Sequence, residues 1–78
     1  MKSFEEWLEE IEKEIEKANI PKPHKFSLLV KLYTLKTNRT LFNLNYLMRW
    51  LRHYGLPHLC PTSEEIDNWI QQGAIGTL

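Results

Sequence analysis

Thr40-Leu41-Phe42-Asn43-Leu44-Asn45-Tyr46-Leu47-Met48-Arg49-Trp50-Leu51-Arg52-His53-Tyr54-Gly55 is the stretch on which the fold turns. Leu41, Leu44, Leu47, Met48 and Leu51 recur at intervals of three and four, the spacing of one helix face. With Tyr46, Trp50 and Tyr54 they cover roughly 220° of the circumference, far more than a helix lying on a surface requires. Thr40 or Asn38 can cap the start, Gly55 suits the left-handed position after the last turn, and Pro57 bars continuation. The segment is therefore read as a helix over 40–54 and as the centre of the molecule. Asn45, Arg49, Arg52 and His53 occupy its one polar strip.

Upstream, His24 to Lys36 offers two apolar faces. Phe26, Leu29, Val30 and Tyr33 form one, and Leu28, Leu32 and Leu35 the other, so a helix over 24–36 would be buried on two sides. The competing reading pairs this segment with residues 40–46 as a β-hairpin across Thr37-Asn38-Arg39. That turn has no glycine to supply the positive φ of the tight hairpin types, and the next segment is plainly helical, so helix is preferred.

Both ends carry the capping-box signature, in which a Ser or Thr and a Glu three residues later satisfy each other's backbone N–H groups. Ser3 with Glu6 starts a helix over 3–18, whose Phe4, Trp7, Leu8, Ile11, Ile15 and Ala18 fall in an arc of about 100°. Pro21 and Pro23 end it, since proline cannot extend a helix. Thr62 with Glu65 starts a helix over 63–72, closed by Gly73. Residues 74–78 are expected to fray, as short termini commonly do. The expectation is thus an all-α chain: one domain, 1–78, built as a compact bundle of four short helices. Trp7, Ile11, Leu44, Leu47 and Leu51 are expected in the core.

Composition sets the outer limits. Seventy-eight residues with 42% hydrophobic and 26% charged content describe a small folded domain rather than a disordered chain. Nine aromatics, three each of Trp, Tyr and Phe, give a thin core large pieces. Cys60 stands alone, so no disulfide is available within the chain, which fits a reducing compartment. Met1 to Trp7 lacks the apolar run of a signal peptide, and no stretch approaches the ~18 apolar residues of a membrane span. The expected address is the cytoplasm, with no membrane association.

Net charge is zero, yet the charges are sorted along the chain. Residues 1–20 hold seven Glu against three Lys. Residues 21–54 hold Lys22, Lys25, Lys31, Lys36, Arg39, Arg49 and Arg52 with no acid at all. Residues 55–78 hold Glu64, Glu65 and Asp67 and no Lys or Arg. Segregation of this kind bears on association more than on fold.

The residues that could carry chemistry are sparse. His53, His58 and Cys60 lie close in sequence, but zinc wants about four ligands, and neither a Cys-x-x-Cys nor a helical His-x-x-x-His pair is present. No glycine-rich phosphate loop exists, because the glycines sit at 55, 73 and 76. A Cys60–His dyad would need a cleft and an oxyanion hole, which a chain this small seldom builds. No enzyme activity, metal or cofactor is expected, a metal-dependent enzyme being the weakest of three readings.

The favoured reading is a small regulatory or adaptor protein that binds a protein partner through Arg39, Phe42, Asn45, Arg49, Arg52 and His53. Arginine beside an aromatic is the usual make-up of an interface hot spot. The alternative is a helix-turn-helix-like nucleic-acid binder using the basic segment 22–53, since Arg and Asn read phosphates and base edges. Against it, the second helix is mostly apolar and the turn lacks glycine. Two bland accounts compete with both: the basic residues pair with Glu9, Glu12 or Glu16 of the first helix, and the stripe Phe42, Tyr46, Trp50 is covered by the first or last helix, which is the preferred expectation for the stripe. Homo-oligomerisation, acidic helix against basic segment, is a further candidate.

Overall fold

A computed structural model describes residues 1–78 and contains four α-helices: α1 (Phe4–Lys17), α2 (Lys22–Thr37), α3 (Leu41–His53) and α4 (Ser63–Gln71). A single 3-10 turn, Pro57–Leu59, lies between the last two. No strand forms, and the hairpin alternative for residues 24–46 is not adopted.

The helix starts follow the local chemistry. Ser3 accepts from the Glu6 N–H while the Glu6 carboxylate accepts from the Ser3 N–H, and Thr62 and Glu65 repeat the arrangement at α4. The Thr40 hydroxyl accepts from the Asn43 N–H and caps α3. Asn38, the other candidate cap, instead closes α2, its N–H donating to the Thr34 carbonyl. α2 begins two residues earlier than the prolines suggested, with Pro23 inside its first turn. Proline is tolerated there because the N–H it lacks would have had no partner. Gly55 (φ 79°) and Gly73 (φ 74°) take the left-handed conformation that ends α3 and α4.

α2 and α3 form an antiparallel pair along their whole length. His24, near the start of α2, stacks on Tyr54 just past the end of α3, with ring centroids 4.4 Å apart. Midway, the Lys31 ammonium lies 5.0 Å from the Trp50 ring and 5.5 Å from the Tyr46 ring. Helices crossing at the ~90–120° of a helix-turn-helix could not meet at both places, so the helix-turn-helix outline is replaced by an αα-hairpin.

α1 lays its whole apolar stripe on this hairpin, and α4 closes one end. Phe4, Trp7, Leu8, Ile11 and Ile15 are buried with Leu28, Leu32, Leu35, Leu44, Leu47, Met48, Leu51, Leu56, Trp69 and Ile75. All five expected core residues are among them. Phe4, Trp7 and Trp69 make an aromatic cluster, with Trp69 centroids 5.2 and 5.6 Å from the other two rings. The indole N–H groups of Trp7 and Trp69 donate to the carbonyls of Leu59 and Lys2, so these large rings are buried without an orphaned polar atom.

Three expectations are corrected. α2 is buried on one side, not two: Leu28, Leu32 and Leu35 face the core, while Phe26, Val30 and Tyr33 point to solvent. One layer of helices covers only one face of α2, and that layer is α1 and α3. The stripe on α3 is likewise uncovered, since Phe42 and Tyr46 are exposed and only Trp50 is half-buried. Finally, residues 74–78 are tied down. Ile75 is buried, the Leu41 N–H donates to the Gly76 carbonyl (2.7 Å), the Phe42 N–H to Leu78 (3.2 Å), and the Gly76 N–H to Arg39 (2.8 Å). The first turn of a helix has N–H groups without intrahelical partners, and the tail supplies carbonyls to two of them.

Candidate functional site

The charge segregation resolves into two groups of cations. Lys36 pairs with Glu12 and Arg39 with Glu5, while the Lys25 ammonium donates to the Glu16 carbonyl oxygen (2.6 Å). These three face α1. Arg39 is further fixed by its Nε–H, which donates to the Lys36 carbonyl, and by the Phe4 ring 5.7 Å from its guanidinium. Arg39 therefore belongs to the α1–α2–α3 junction, apart from the other residues expected to form the site.

Arg49 and Arg52 have no acid partner. Both are exposed, as are Phe42, Asn45 and His53, so five of the six expected site residues share the outward side of α3. Arg49, Trp50, Arg52 and His53 line an open depression of about 460 Å³. Its donors are two guanidiniums and an imidazole, and no residue from Pro21 to Tyr54 is acidic. Trp50 sets the position of this group: its ring meets His53 edge-on at 5.1 Å and Tyr54 at 5.5 Å. Trp50 Nε1 is buried with no hydrogen-bond partner. Leaving such an N–H unsatisfied costs about 1–3 kcal/mol.

Sequence reasoning missed the exposed face of α2. Phe26, Val30 and Tyr33 are exposed on the side of α2 away from Leu28, Leu32 and Leu35, and Tyr33 borders a recess shared with Glu12 and Glu16 of α1. Lys31 bridges the two helices. Its ammonium donates to Ser27 Oγ (2.6 Å) and lies over the Tyr46 and Trp50 rings. The spacing 26, 30, 33 carries the signal, but helical spacing alone does not distinguish a core face from an exposed one.

The other reactive groups do not assemble. No three His, Cys, Asp or Glu side chains are placed to hold a metal ion. The Cys60 thiol is half-buried and directed to the Met48 carbonyl (3.7 Å). Burial pushes its pKa up, with the Arg52 charge opposing more weakly, so the thiolate is disfavoured. A recess of about 250 Å³ beside Cys60 is lined by Lys2, Glu10, His58 and Glu65 among others. The Lys2 ammonium there is held by Glu10 at 2.6 Å, and that hydrogen bond raises its pKa. No helix is long and apolar enough to cross a membrane.

No protein-family model matches the chain, and neither a curated protein nor a solved structure matches it significantly.

Proposed function

We propose that the protein is a small cytoplasmic adaptor that acts by contact rather than catalysis, binding a protein partner through Asn45, Arg49, Arg52 and His53, flanked by Phe42. The observation that carries this reading is the division of the cations. Lys36 and Arg39, which face α1, are paired with carboxylates within the chain, whereas Arg49 and Arg52 have no acid partner and stand on the side of α3 that exposes Phe42. The strip is rigidly presented, because the opposite side of α3 is the fully buried row Leu44, Leu47 and Leu51. Rigid presentation lowers the entropy lost on binding.

The double substitution Arg49→Ala/Arg52→Ala tests it. Neither side chain makes an intramolecular ion pair, so thermal stability is expected to change by less than about 0.5 kcal/mol. Partner capture is expected to be lost. Parental affinity in the double variant would place the site elsewhere, with the acidic side of α1 the next candidate.

A second reading, nucleic-acid binding, is favoured by the acid-free segment and its exposed aromatics, on which bases can stack. It now rests on the outward surface of an αα-hairpin rather than on a recognition helix. Retention on heparin separates the two, since phosphate-type contacts weaken steeply as salt rises.

A further inference from the structure

Of the seven cations between residues 21 and 54, four already have partners within the chain. Lys36 and Arg39 pair with carboxylates, the Lys25 ammonium donates to the Glu16 carbonyl oxygen, and Lys31 donates to Ser27 Oγ. Lys22, Arg49 and Arg52 pair with no acid. The two arginines share the open depression of about 460 Å³ with Trp50 and His53, whereas Lys22 does not line it. Arg49 stands three residues before Arg52 and four before His53, the two spacings at which side chains on a helix are neighbours. The second guanidinium and the imidazole are therefore gathered around Arg49. The imidazole is also held in place, with the Trp50 ring edge-on at 5.1 Å and the Tyr54 ring at 5.5 Å.

One ordinary duty of cations at the end of a helix is to hydrogen-bond its last carbonyls. Here the backbone has filled that duty. The Tyr54 N–H donates to the Trp50 carbonyl (3.0 Å), the Leu56 N–H to Leu51 (2.8 Å) and the Gly55 N–H to Arg52 (3.1 Å). The donors of Arg52 and His53 are left for a ligand.

We propose that the depression receives a phosphorylated side chain of the partner protein. This rests on the reading that the outward side of α3 binds a protein, and names the group it grips. A phosphomonoester carries a charge of about −1.5 to −2 at neutral pH and three acceptor oxygens. Two guanidiniums balance that charge, and with the imidazole they offer one donor group to each oxygen. A lone Asp or Glu of the partner would bring one charge and two oxygens, leaving a cation unpaired. Arginine suits the task better than lysine, because its planar fork engages two phosphate oxygens at once. Arg49 and Arg52 also repel each other in the free chain, and a dianion between them turns that repulsion into attraction.

Other bearers of phosphate fit less well. A nucleic acid presents a row of phosphates and an anionic membrane a plane of them, and both reward many cations at once. The depression offers two arginines, on a chain of zero net charge.

The test uses degenerate peptides with a fixed central phosphoserine, phosphothreonine or phosphotyrosine, selected on the full chain beside the same peptides left unmodified. Affinities of the enriched sequences, and of versions with glutamate at the central position, are measured by fluorescence anisotropy. The parent is compared with Arg49→Ala/Arg52→Ala and Arg49→Lys/Arg52→Lys. Both side chains are exposed, and circular dichroism checks that the variants fold. Removing the phosphate is expected to weaken binding at least about ten-fold, and glutamate is not expected to restore it. The alanine pair should abolish the preference for phosphorylated peptides, and the lysine pair should recover only part of it. If unmodified peptides bind the parent equally well and the alanine pair still loses them, phosphate is not the determinant and the α3 protein site stands. If no peptide of either kind is enriched, or the alanine pair binds like the parent, both readings fall. Tighter binding of an oligothymidine strand or of phosphatidylserine vesicles overturns the proposal. So does displacement of the phosphopeptide by an equal concentration of inorganic phosphate.

Discussion

Ile75 lies between Ala74 and Gly76 in a five-residue tail, where a side chain would ordinarily contribute little to stability. In the fold it is only 3% exposed and sits in the same core as Trp69 and Leu44. Ile75→Ala removes three carbons, worth about 0.8 kcal/mol each by transfer, so roughly 2.4 kcal/mol before any cavity is counted. A residual cavity brings the expected loss into the range of about 2–5 kcal/mol measured for such truncations. In a domain of this size each kcal/mol moves the melting temperature by about 4–8 °C, so a drop of at least about 8 °C is expected. Thermal unfolding followed by circular dichroism reads it. Leu78→Ala is the control, because that side chain is 88% exposed, and its shift should stay within the ~0.5 kcal/mol of ordinary surface changes. If the two variants melt alike and close to the parent, the tail frays in solution. Its hydrogen bonds to Leu41 and Phe42 then contribute nothing to α3.

Three further outcomes are expected. Leu47→Ala, at a fully buried position in the core, should lose about 2–5 kcal/mol out of a total of roughly 4–12, and chemical denaturation will show whether a folded baseline survives. Arg39→Ala should lower stability by about 1–2 kcal/mol, through its Glu5 pair and the Phe4 ring, while leaving partner capture intact; loss of capture with unchanged stability would return Arg39 to the site. The Ser3 backbone N–H, donating to the Glu6 carboxylate, is the main cause holding the Glu6 pKa below the usual glutamate value. The stabilisation it represents is present above that usual value and is lost as pH falls through the lowered one. An NMR titration should show the low Glu6 midpoint, and one at the usual value would mean that the capping box is open in solution.

What was legible in the sequence was local. The capping boxes at Ser3–Glu6 and Thr62–Glu65 are short-range bonds between residues three apart, so the letters alone imply the geometry. Leu44, Leu47 and Leu51 were legible as core because α3 is apolar round most of its circumference, and some of that surface had to be inside. What was not legible depended on neighbours. Arg39 and Arg49 look alike in a sequence, yet one lies opposite Glu5 and the other opposite nothing. The tail reads as a frayed end because its partners, Arg39 and the first turn of α3, are more than thirty residues away.

α2 is the instructive failure. Its two apolar faces satisfy helical spacing equally, and a rule that places apolar residues inside has no means of choosing between them. Seventy-eight residues supply one covering layer, so one face had to lose. The leucines won the core, and the face left outside carries the bulkier rings Phe26 and Tyr33. A chain selected only to fold would gain solubility by placing polar residues there, as α1 does on its own outward side with Glu9, Lys13 and Glu16. Retaining aromatics on α2 and α3 while the outside of α1 is fully charged is a departure from consistent patterning, and such departures in natural proteins concentrate at functional sites. The outward side of α3 also holds Arg49 and Arg52 without an acid partner, next to Trp50, whose buried N–H has no hydrogen-bond partner. Exposed apolar area, charge without a partner and an unsatisfied donor are each unfavourable in the free chain, and burial against a partner on the outward side of α3 would offset the first two.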